Sequence, residues 1–285
     1  MSRLFEALQR SELDGSGFEF PLPEKAAVAE LIHQPAKEEC IPDDSDLSQF
    51  PSVSASVPPG GNFICITQPE SLGAEKFRFL GVRLRQLQQT RGLKTVLITS
   101  TIPEEGKSMV SGNLAVTLSR KKQQKVLLLE GDLRRPVLAA RLGLQGLGGL
   151  REWLESNTAQ ITNIHYLEGP GFWFLPAGKP PANPLELMQS GRLSWLLHQL
   201  AAWFDWILID SPPVLPLADA SVWARLSDGV LLVAREGTTE KRRLEHGLQA
   251  LEGSKLLGVV LNSCTPSGHS NYYQRYGAPA IQSQV

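Results

Sequence analysis

Three consecutive residues, Gly106, Lys107 and Ser108, follow a short apolar segment and precede an amphipathic one. A tight turn between a strand and a helix presents backbone N–H groups to phosphate oxygens, and the helix N-terminus favours negative charge. A lysine at this place reaches the β- and γ-phosphates of a nucleotide, and a serine hydroxyl binds Mg²⁺. Thr101 stands where such loops usually begin with glycine. The sequence therefore predicts a phosphate-binding loop, with the start of an ordinary helix as the alternative.

Acidic residues end two further apolar runs. Asp210 closes the run 206–210, and the run that starts at Val126 leads into Glu130-Gly-Asp132-Leu-Arg-Arg. Because parallel strands bring their carboxyl ends to the ligand-binding edge of an α/β sheet, these carboxylates are expected beside the loop. Such a set can bind Mg²⁺ and also accept a proton from a hydroxyl nucleophile. The alternatives are a helix cap at Asp210 and a capped turn with solvated arginines after Glu130.

Short apolar runs alternate with amphipathic segments from about residue 71 onward. Continuous apolar runs are typical of strands buried on both faces, and their alternation with helices predicts an α/β fold with a mostly parallel sheet. The strands are expected at residues 94–100, 125–130, 172–175, 206–210, 229–234 and 257–261. The helices, on both faces of the sheet, are expected at residues 72–89, 107–120, 185–204, 217–226 and 240–251.

The net charge of −1 on the 285 residues is unevenly distributed: residues 1–70 carry −8 and the remainder +7. The stretch 41–61 is rich in Pro, Ser and Asp, which predicts a linker. Residues 1–70 are therefore expected to be a largely disordered extension, residues 71–265 the folded domain and residues 266–285 a flexible tail. A short helix near residues 2–12 is either a docking element or a frayed end.

Composition argues against several classes of protein. The charge balance is too weak to indicate nucleic-acid binding. No apolar run approaches the ~18 residues of a membrane span, and the N-terminus has no apolar signal segment. The three cysteines, Cys40, Cys65 and Cys264, have neither metal-site nor disulfide spacing, so a reducing cytoplasm is expected.

The motifs TSTIPEEGKS, LLLEGDLRRP and ILIDSPPV resemble the P-loop, Walker A′ and Walker B motifs of bacterial tyrosine kinases from capsule and exopolysaccharide loci. FLPAGKPPANPLELM and LLGVVLN match the same family, and the resemblance covers about residues 72–265. It implies a P-loop α/β domain that uses ATP and Mg²⁺ to phosphorylate its own C-terminal tyrosines, here Tyr272, Tyr273 and Tyr276. Tyrosines that simply pack on the domain are the alternative.

The resemblance also implies partners. These are a ring-shaped homo-oligomer, a separate membrane activator of the polysaccharide chain-length regulator (Wzz-like) type, and a phosphotyrosine phosphatase; nucleic acid is not among them. The chain would then lie in the cytoplasm, held at the inner face of the plasma membrane through its activator. Phosphorylation cycling would regulate polysaccharide polymerisation and export.

Catalytic roles follow from matching positions in the motifs. Lys107 would stabilise the transferring phosphoryl group, and Ser108, Glu130 and Asp210 would bind Mg²⁺. Asp132 is the better candidate for activating the tyrosine hydroxyl, although Glu130 and Asp132 are interchangeable at the sequence level. Residues expected to bind the nucleotide are Pro103, Glu104, Glu105, Gly106, Lys107, Ser108, Met109, Arg134 and Asn262. For Arg134 a salt bridge to the body is the alternative, and for Asn262 a turn at the end of a strand.

Two positions depart from the family pattern. Glu130 replaces the usual Asp at the first acidic position of Walker A′, which places the carboxylate one methylene further out. The oligomerisation motif Glu-x-x-Arg-x-x-Arg is matched by Glu75 and Arg78, but Gly81 replaces its second arginine. Lower activity is expected unless the loop compensates, and a weaker ring interface is expected unless Arg83 or Arg85 takes the place of the second arginine.

Two other functions compete with the kinase. A ParA/MinD-like positioning ATPase carries an additional lysine early in the loop, where this chain has Ile102. A nucleotide-gated binding module of the export machinery would bind ATP with little kinase activity. Phosphate incorporation separates the kinase from both.

Overall fold

An eight-stranded sheet forms the centre of the part of the chain that the structure describes. The computed structural model describes residues 47–58, 60–121, 124–215 and 218–264. The strands are β1 Ser52–Ser54, β2 Thr95–Ser100, β3 Val126–Glu130, β4 His165–Glu168, β5 Phe172–Leu175, β6 Trp206–Asp210, β7 Gly229–Arg235 and β8 Leu256–Asn262. The helices are α1 Ile64–Thr67, α2 Leu72–Arg91, α3 Lys107–Ser119, α4 Leu138–Arg141, α5 Leu150–Glu155, α6 Pro184–Met188, α7 Arg192–Trp203, α8 Asp219–Leu226 and α9 Lys241–Ala250. A 3-10 turn, Leu47–Gln49, precedes β1.

The strand order is β1-β4-β5-β3-β6-β2-β7-β8. The last six strands in this order are parallel to one another, whereas β4 is antiparallel to β5 and β1 is parallel to β4. The carboxyl ends of β2, β3, β6, β7 and β8 therefore meet at one edge of the sheet, where open α/β sheets bind ligands. The prediction of a mostly parallel α/β sheet is confirmed.

Two apolar clusters cover the two faces of the sheet. On one face Leu127 packs in a cluster that includes Leu200 of α7. On the other face the next residue, Leu128, packs in a cluster that includes Leu114 of α3. Successive residues of β3 thus enter opposite clusters and both are fully buried, which is why the strand is apolar without alternation.

All six predicted strands are present, with ends within one residue of the predicted positions. The predicted helix 185–204 is wrong in one respect, because Gly191 adopts a φ of 74° and separates α6 from α7. Five further elements, β1, β4, α1, α4 and α5, were not predicted. They are three to six residues long, too short to show a hydrophobic period.

The expected N-terminal extension is corrected from residue 47 onward. β1 pairs with β4, and the Phe50 ring lies 5.7 Å from the Trp203 ring of α7. Phe63 is buried against Gly112 of α3, where an added Cβ would lie 2.5 Å from its ring. Residues 47–58 and 60–70 therefore pack on the folded domain and are not a linker. The predicted helix near residues 2–12 and the tail 266–285 lie outside the described residues.

Among the described residues, α2 is the longest helix, and its boundaries are clear. The Ser71 hydroxyl accepts a hydrogen bond from the Ala74 amide at its start, and Gly92 ends it with a φ of 66°, a typical left-handed cap. Phe77 and Leu84 face the core, whereas Phe79 is 63% exposed. Within the described ranges, none of the helices, including the 20-residue α2, is both long enough and apolar enough to span a bilayer.

Candidate active site

The loop between β2 and α3 has the geometry of a phosphate-binding turn. Gly106 precedes the first turn of α3 with a φ of 95°, and Glu104 has a φ of 67°. A Cβ on Gly106 would lie 2.1 Å from Nδ2 of Asn262, so this position needs glycine for both conformation and space. The α3 N-terminus opens at the loop, as an anion site requires. The predicted loop residues 103–109 are thus gathered at the carboxyl edge of the sheet.

Lys107 lies among carboxylates and is largely buried. Its Nζ is 3.1 Å from Oδ2 of Asp132 and 3.3 Å from the Ser108 hydroxyl. Burial alone lowers the pKa of Lys107, but the negative charges of Asp210 and Asp132 outweigh it, and the net pKa is raised. The ammonium group is therefore charged at neutral pH and is placed to stabilise added negative charge.

Asp210 is fully buried at the end of β6, and neither of its carboxylate oxygens accepts a hydrogen bond from any residue in the described part of the chain. Burial raises its pKa, which Lys107 and the nearby hydroxyls of Ser108 and Ser111 partly offset. A buried carboxylate without hydrogen bonds is costly unless a cation neutralises it.

Mg²⁺ fits this position. No group of three or more His, Cys, Asp or Glu side chains is arranged to hold a metal within the described ranges. Mg²⁺ in nucleotide sites takes one or two protein ligands and completes its octahedron with phosphates and water. The Asp210 carboxylate and the Ser108 hydroxyl have the right chemistry for those protein ligands.

Glu130 was predicted to bind Mg²⁺, and the structure gives its carboxylate other contacts. Oε1 accepts a hydrogen bond from the Leu138 amide at 2.5 Å, and Oε2 accepts one from the Ala177 amide at 3.1 Å. Burial raises the pKa of Glu130 to about 7, although the two amides act in the opposite direction. Its carboxylate thus joins two loops. The sequence predicted that the Glu130 carboxylate lies one methylene further from the backbone than that of an aspartate. It did not predict which groups this carboxylate contacts.

Arg134 was predicted to contact the nucleotide, with a salt bridge to the body of the domain as the alternative, and the structure shows the salt bridge. Its Nε and NH2 donate to the two carboxylate oxygens of Asp219, the first residue of α8. The Arg134 side chain is 37% exposed and that of Asp219 only 2%. Sequence reasoning missed Asp219; its place at the start of a predicted helix suited a cap equally well.

A second group of residues braces the phosphate-binding loop from behind. The buried Glu105 carboxylate accepts a hydrogen bond from the Ile102 amide at 2.9 Å and is also bonded to the Thr239 hydroxyl. Asn262, predicted to touch the nucleotide or to form a turn, donates its side-chain amide to the Glu105 carbonyl at 2.9 Å. Glu105 therefore points its side chain away from the phosphate site, and Thr239 is a site residue that the sequence did not reveal.

The residues of the expected oligomer interface lie in the first turns of α2. Glu75 and Arg78 form an ion pair, and Arg78 also donates to the Pro69 carbonyl. Gly81 is packed against α3, with an added Cβ only 3.0 Å from Cγ2 of Thr117. The predicted acceptors Tyr272, Tyr273 and Tyr276 lie outside the described residues.

Comparison with known proteins identifies the family to which this chain belongs. No protein-family model matches the chain. The tyrosine-protein kinase YwqD of Bacillus subtilis (strain 168) is 34% identical over 213 residues, which are 74% of this chain and 90% of the relative. The putative tyrosine-protein kinase CapB of Staphylococcus aureus is 32% identical over 212 residues, or 74% and 92% of the two chains. The chain belongs to the bacterial protein-tyrosine kinases.

Solved structures agree with that assignment. The kinase domain of the Escherichia coli tyrosine kinase ETK superposes with a TM-score of 0.69 at 28% identity, over 75% of this kinase and 82% of that chain. The chimerical protein CapA2B2 gives 0.68 at 29% identity, over 76% and 96%. McdA of Cyanothece, at 22% identity and a TM-score of 0.51 over 66% and 80% of the two chains, shares the fold. The tyrosine kinase interpretation of the sequence is confirmed at the level of the family.

Proposed function

We propose that this kinase transfers the γ-phosphoryl group of ATP to Tyr272, Tyr273 and Tyr276 of its own C-terminal segment. The observation that carries the proposal is the convergence of Lys107, Asp132 and Asp210 at the phosphate-binding loop. Phosphoryl transfer depends mainly on positioning and charge stabilisation, and this group of residues supplies both.

The transfer forms a bond between the tyrosine oxygen and the γ-phosphorus and breaks the bond from that phosphorus to the β–γ bridging oxygen, with ADP leaving. The loop amides and Lys107 hold the phosphates and balance the charge that develops on them. Asp132 accepts the phenolic proton, and its Oδ1 is itself fixed by the Arg135 amide at 3.0 Å. Ser108 and Asp210 would hold Mg²⁺, which neutralises the β- and γ-oxygens when bound.

We further propose the partners of this reaction. A separate membrane activator is supported by the family resemblance and by the likeness to the chimerical protein CapA2B2. Homo-oligomeric assembly through α2 is supported by the exposed Phe79 and Val82, which are 63% and 50% accessible. A phosphotyrosine phosphatase would reverse the modification, and the cycle would regulate exopolysaccharide or capsule export at the inner face of the plasma membrane.

The decisive experiment maps phosphorylation in the purified full chain. The protein is incubated with Mg-ATP, alone and with the cytoplasmic peptide of a candidate activator, and is analysed by mass spectrometry. Phosphate is expected on the three tail tyrosines and is lost in Lys107→Met. Tyr166 of β4 is the matched control, because its ring packs 4.9 Å from Trp173 and Tyr166→Phe should leave incorporation unchanged.

The other outcomes point to the competing functions. ATP turnover without phosphotyrosine would favour a ParA/MinD-like ATPase. Tight ATP binding without turnover would favour a nucleotide-gated binding module.

A further inference from the structure

Glu130 uses each carboxylate oxygen to hold a different loop. Oε1 receives the amide of Leu138, and Oε2 receives the amide of Ala177, 47 residues further along the chain than Glu130 itself. The side chain is 1% exposed. The Leu138 amide opens α4 and has no partner within that helix, so the carboxylate satisfies a donor that would otherwise be orphaned.

The two loops carry residues of the reaction edge. The first, residues 131–137, contains Asp132 and Arg134. The second runs from Pro176 past Ala177 to α6. A cleft of about 330 Å³ is lined by Arg134, by residues 182–186 of this second loop and of α6, and by Gln189, and its volume is in the size range of small-ligand sites. The walls of this cleft therefore come from the first loop, through Arg134, and from the end of the second loop together with α6, to which that loop leads.

The second loop is also held from its other side. The Pro176 carbonyl accepts a hydrogen bond from the Leu150 amide at 2.8 Å. The Glu152 carboxylate binds the amides of Gly149 and Lys179 at 2.7 and 3.1 Å. Glu152 thus anchors the second loop to α5, whereas Glu130 ties it to the first loop.

Glu130 and the neighbouring carboxylate of Asp210 differ in their contacts and therefore in their roles. Glu130 and Asp210 are paired across β3 and β6, yet Asp210 has no hydrogen-bond partner among the described residues and Glu130 has two. An Asp at position 130 would withdraw the carboxylate by about 1.5 Å, one C–C bond, and lengthen both contacts beyond hydrogen-bond range.

We propose that Glu130 is a positioning residue that fixes the separation of residues 131–137 from residues 176–186, and hence the cleft that receives the acceptor tyrosine, and that it is not a Mg²⁺ ligand. The cleft offers Pro184 and Leu185 to an aromatic ring and Asn183 and Glu186 to polar groups. The assignment of the acceptor rests on the proposed function, but the positioning role of Glu130 does not.

The test uses the full chain with Glu130→Asp and Glu130→Gln. Hydrogen exchange is measured without nucleotide on peptides that contain Leu138 and Ala177. Loss of one charge-assisted hydrogen bond should accelerate exchange at both amides by about tenfold or more in Glu130→Asp, and at one or both in Glu130→Gln. The matched variant Glu152→Gln should accelerate exchange at Lys179 and leave Leu138 unchanged.

A second measurement addresses the metal. The Mg²⁺ dependence of ADP binding should stay within about twofold of wild type in both Glu130 variants and shift by about tenfold or more in Asp210→Asn. In the phosphorylation reaction, Glu130→Asp should raise the KM for a peptide of residues 268–280 more than it lowers kcat.

Unchanged exchange at Leu138 and Ala177, or a Mg²⁺ shift in Glu130→Gln as large as that in Asp210→Asn, would overturn the proposal. Absence of phosphotyrosine in the wild type would count against the proposed function alone, because the exchange and the Mg²⁺ titration are read without catalysis. If circular dichroism shows that the Glu130→Asp variant is unfolded, the hydrogen exchange and the Mg²⁺ titration are both made on the Glu130→Gln variant.

Discussion

The Arg134 guanidinium donates two hydrogen bonds to the Asp219 carboxylate, from Nε to Oδ2 at 2.6 Å and from NH2 to Oδ1 at 3.0 Å. This pair ties the loop after β3 to the first turn of α8. Removing one partner of a buried pair leaves the other charge unpaired. Because Asp219 is the buried member, Arg134→Ala should cost more stability than Asp219→Asn.

We expect Arg134→Ala to lower the free energy of unfolding by about 2 kcal/mol. This loss is smaller than for a fully buried ion pair because Arg134 is partly exposed. Arg134→Lys keeps the charge but loses the two-pronged geometry and should lie between wild type and Ala. Urea unfolding of the two single variants and the double variant gives the coupling energy. A coupling near zero would show that the pair does not hold the loop to α8.

Thr239 braces the phosphate-binding loop through Glu105, and the Arg235 amide donates to the same hydroxyl at 2.8 Å. Thr239→Val removes the hydroxyl at nearly constant volume and leaves the buried Glu105 short of a partner. We expect Mg-ADP affinity to fall by about tenfold, the equivalent of one hydrogen bond to a charged group. Thr238→Val is the matched control, since Thr238 is exposed. Equal affinities in the two variants, measured by calorimetry, would contradict this role.

The raised pKa of Glu130 makes stability depend on pH. Its pKa is about 7 in the folded protein and 4.5 in an unperturbed carboxyl. The folded state therefore binds the proton more tightly than the unfolded chain. The stabilisation is complete below pH 4.5 and is lost as the pH rises through 7, by up to about 3 kcal/mol.

Urea unfolding without nucleotide or Mg²⁺, from pH 4.5 to 8, measures this effect. Glu130→Gln cannot titrate, so the free energy of unfolding of wild type relative to this variant should fall across the range. A difference that rises with pH would mean that the folded pKa lies below 4.5.

Gly131 touches the indole of Trp223 in α8. An added Cβ would lie 2.8 Å from the ring, and the indole N–H donates to the Gly131 carbonyl at 3.1 Å. Gly131→Ala must displace a fully buried tryptophan, which should destabilise the fold by about 1–3 kcal/mol. Gly258→Ala in β8 is the control, because nothing lies within 4 Å of its added Cβ. Equal melting temperatures of the Gly131→Ala and Gly258→Ala variants in thermal unfolding would contradict a steric conflict with Trp223.

The elements that carry the motifs were accessible from sequence because their signals are local. β3 and β6 are continuous apolar runs that end in acidic residues, and Gly106-Lys107-Ser108 marks the start of α3. The directions of side chains were not accessible. The partner of Arg134 is 85 residues away and that of Glu105 is 134 residues away, so their contacts depend on the assembled sheet. His165–Glu168 is half-exposed and short, and forms a strand only because β1 and β5 flank it.

The described chain enters beside one border of the sheet, at β1, and leaves at the opposite border, after β8. Seven inter-strand steps separate these borders, which corresponds to about 34 Å at 4.8 Å per step. The first and the last strand of the described chain therefore lie on opposite flanks of the sheet.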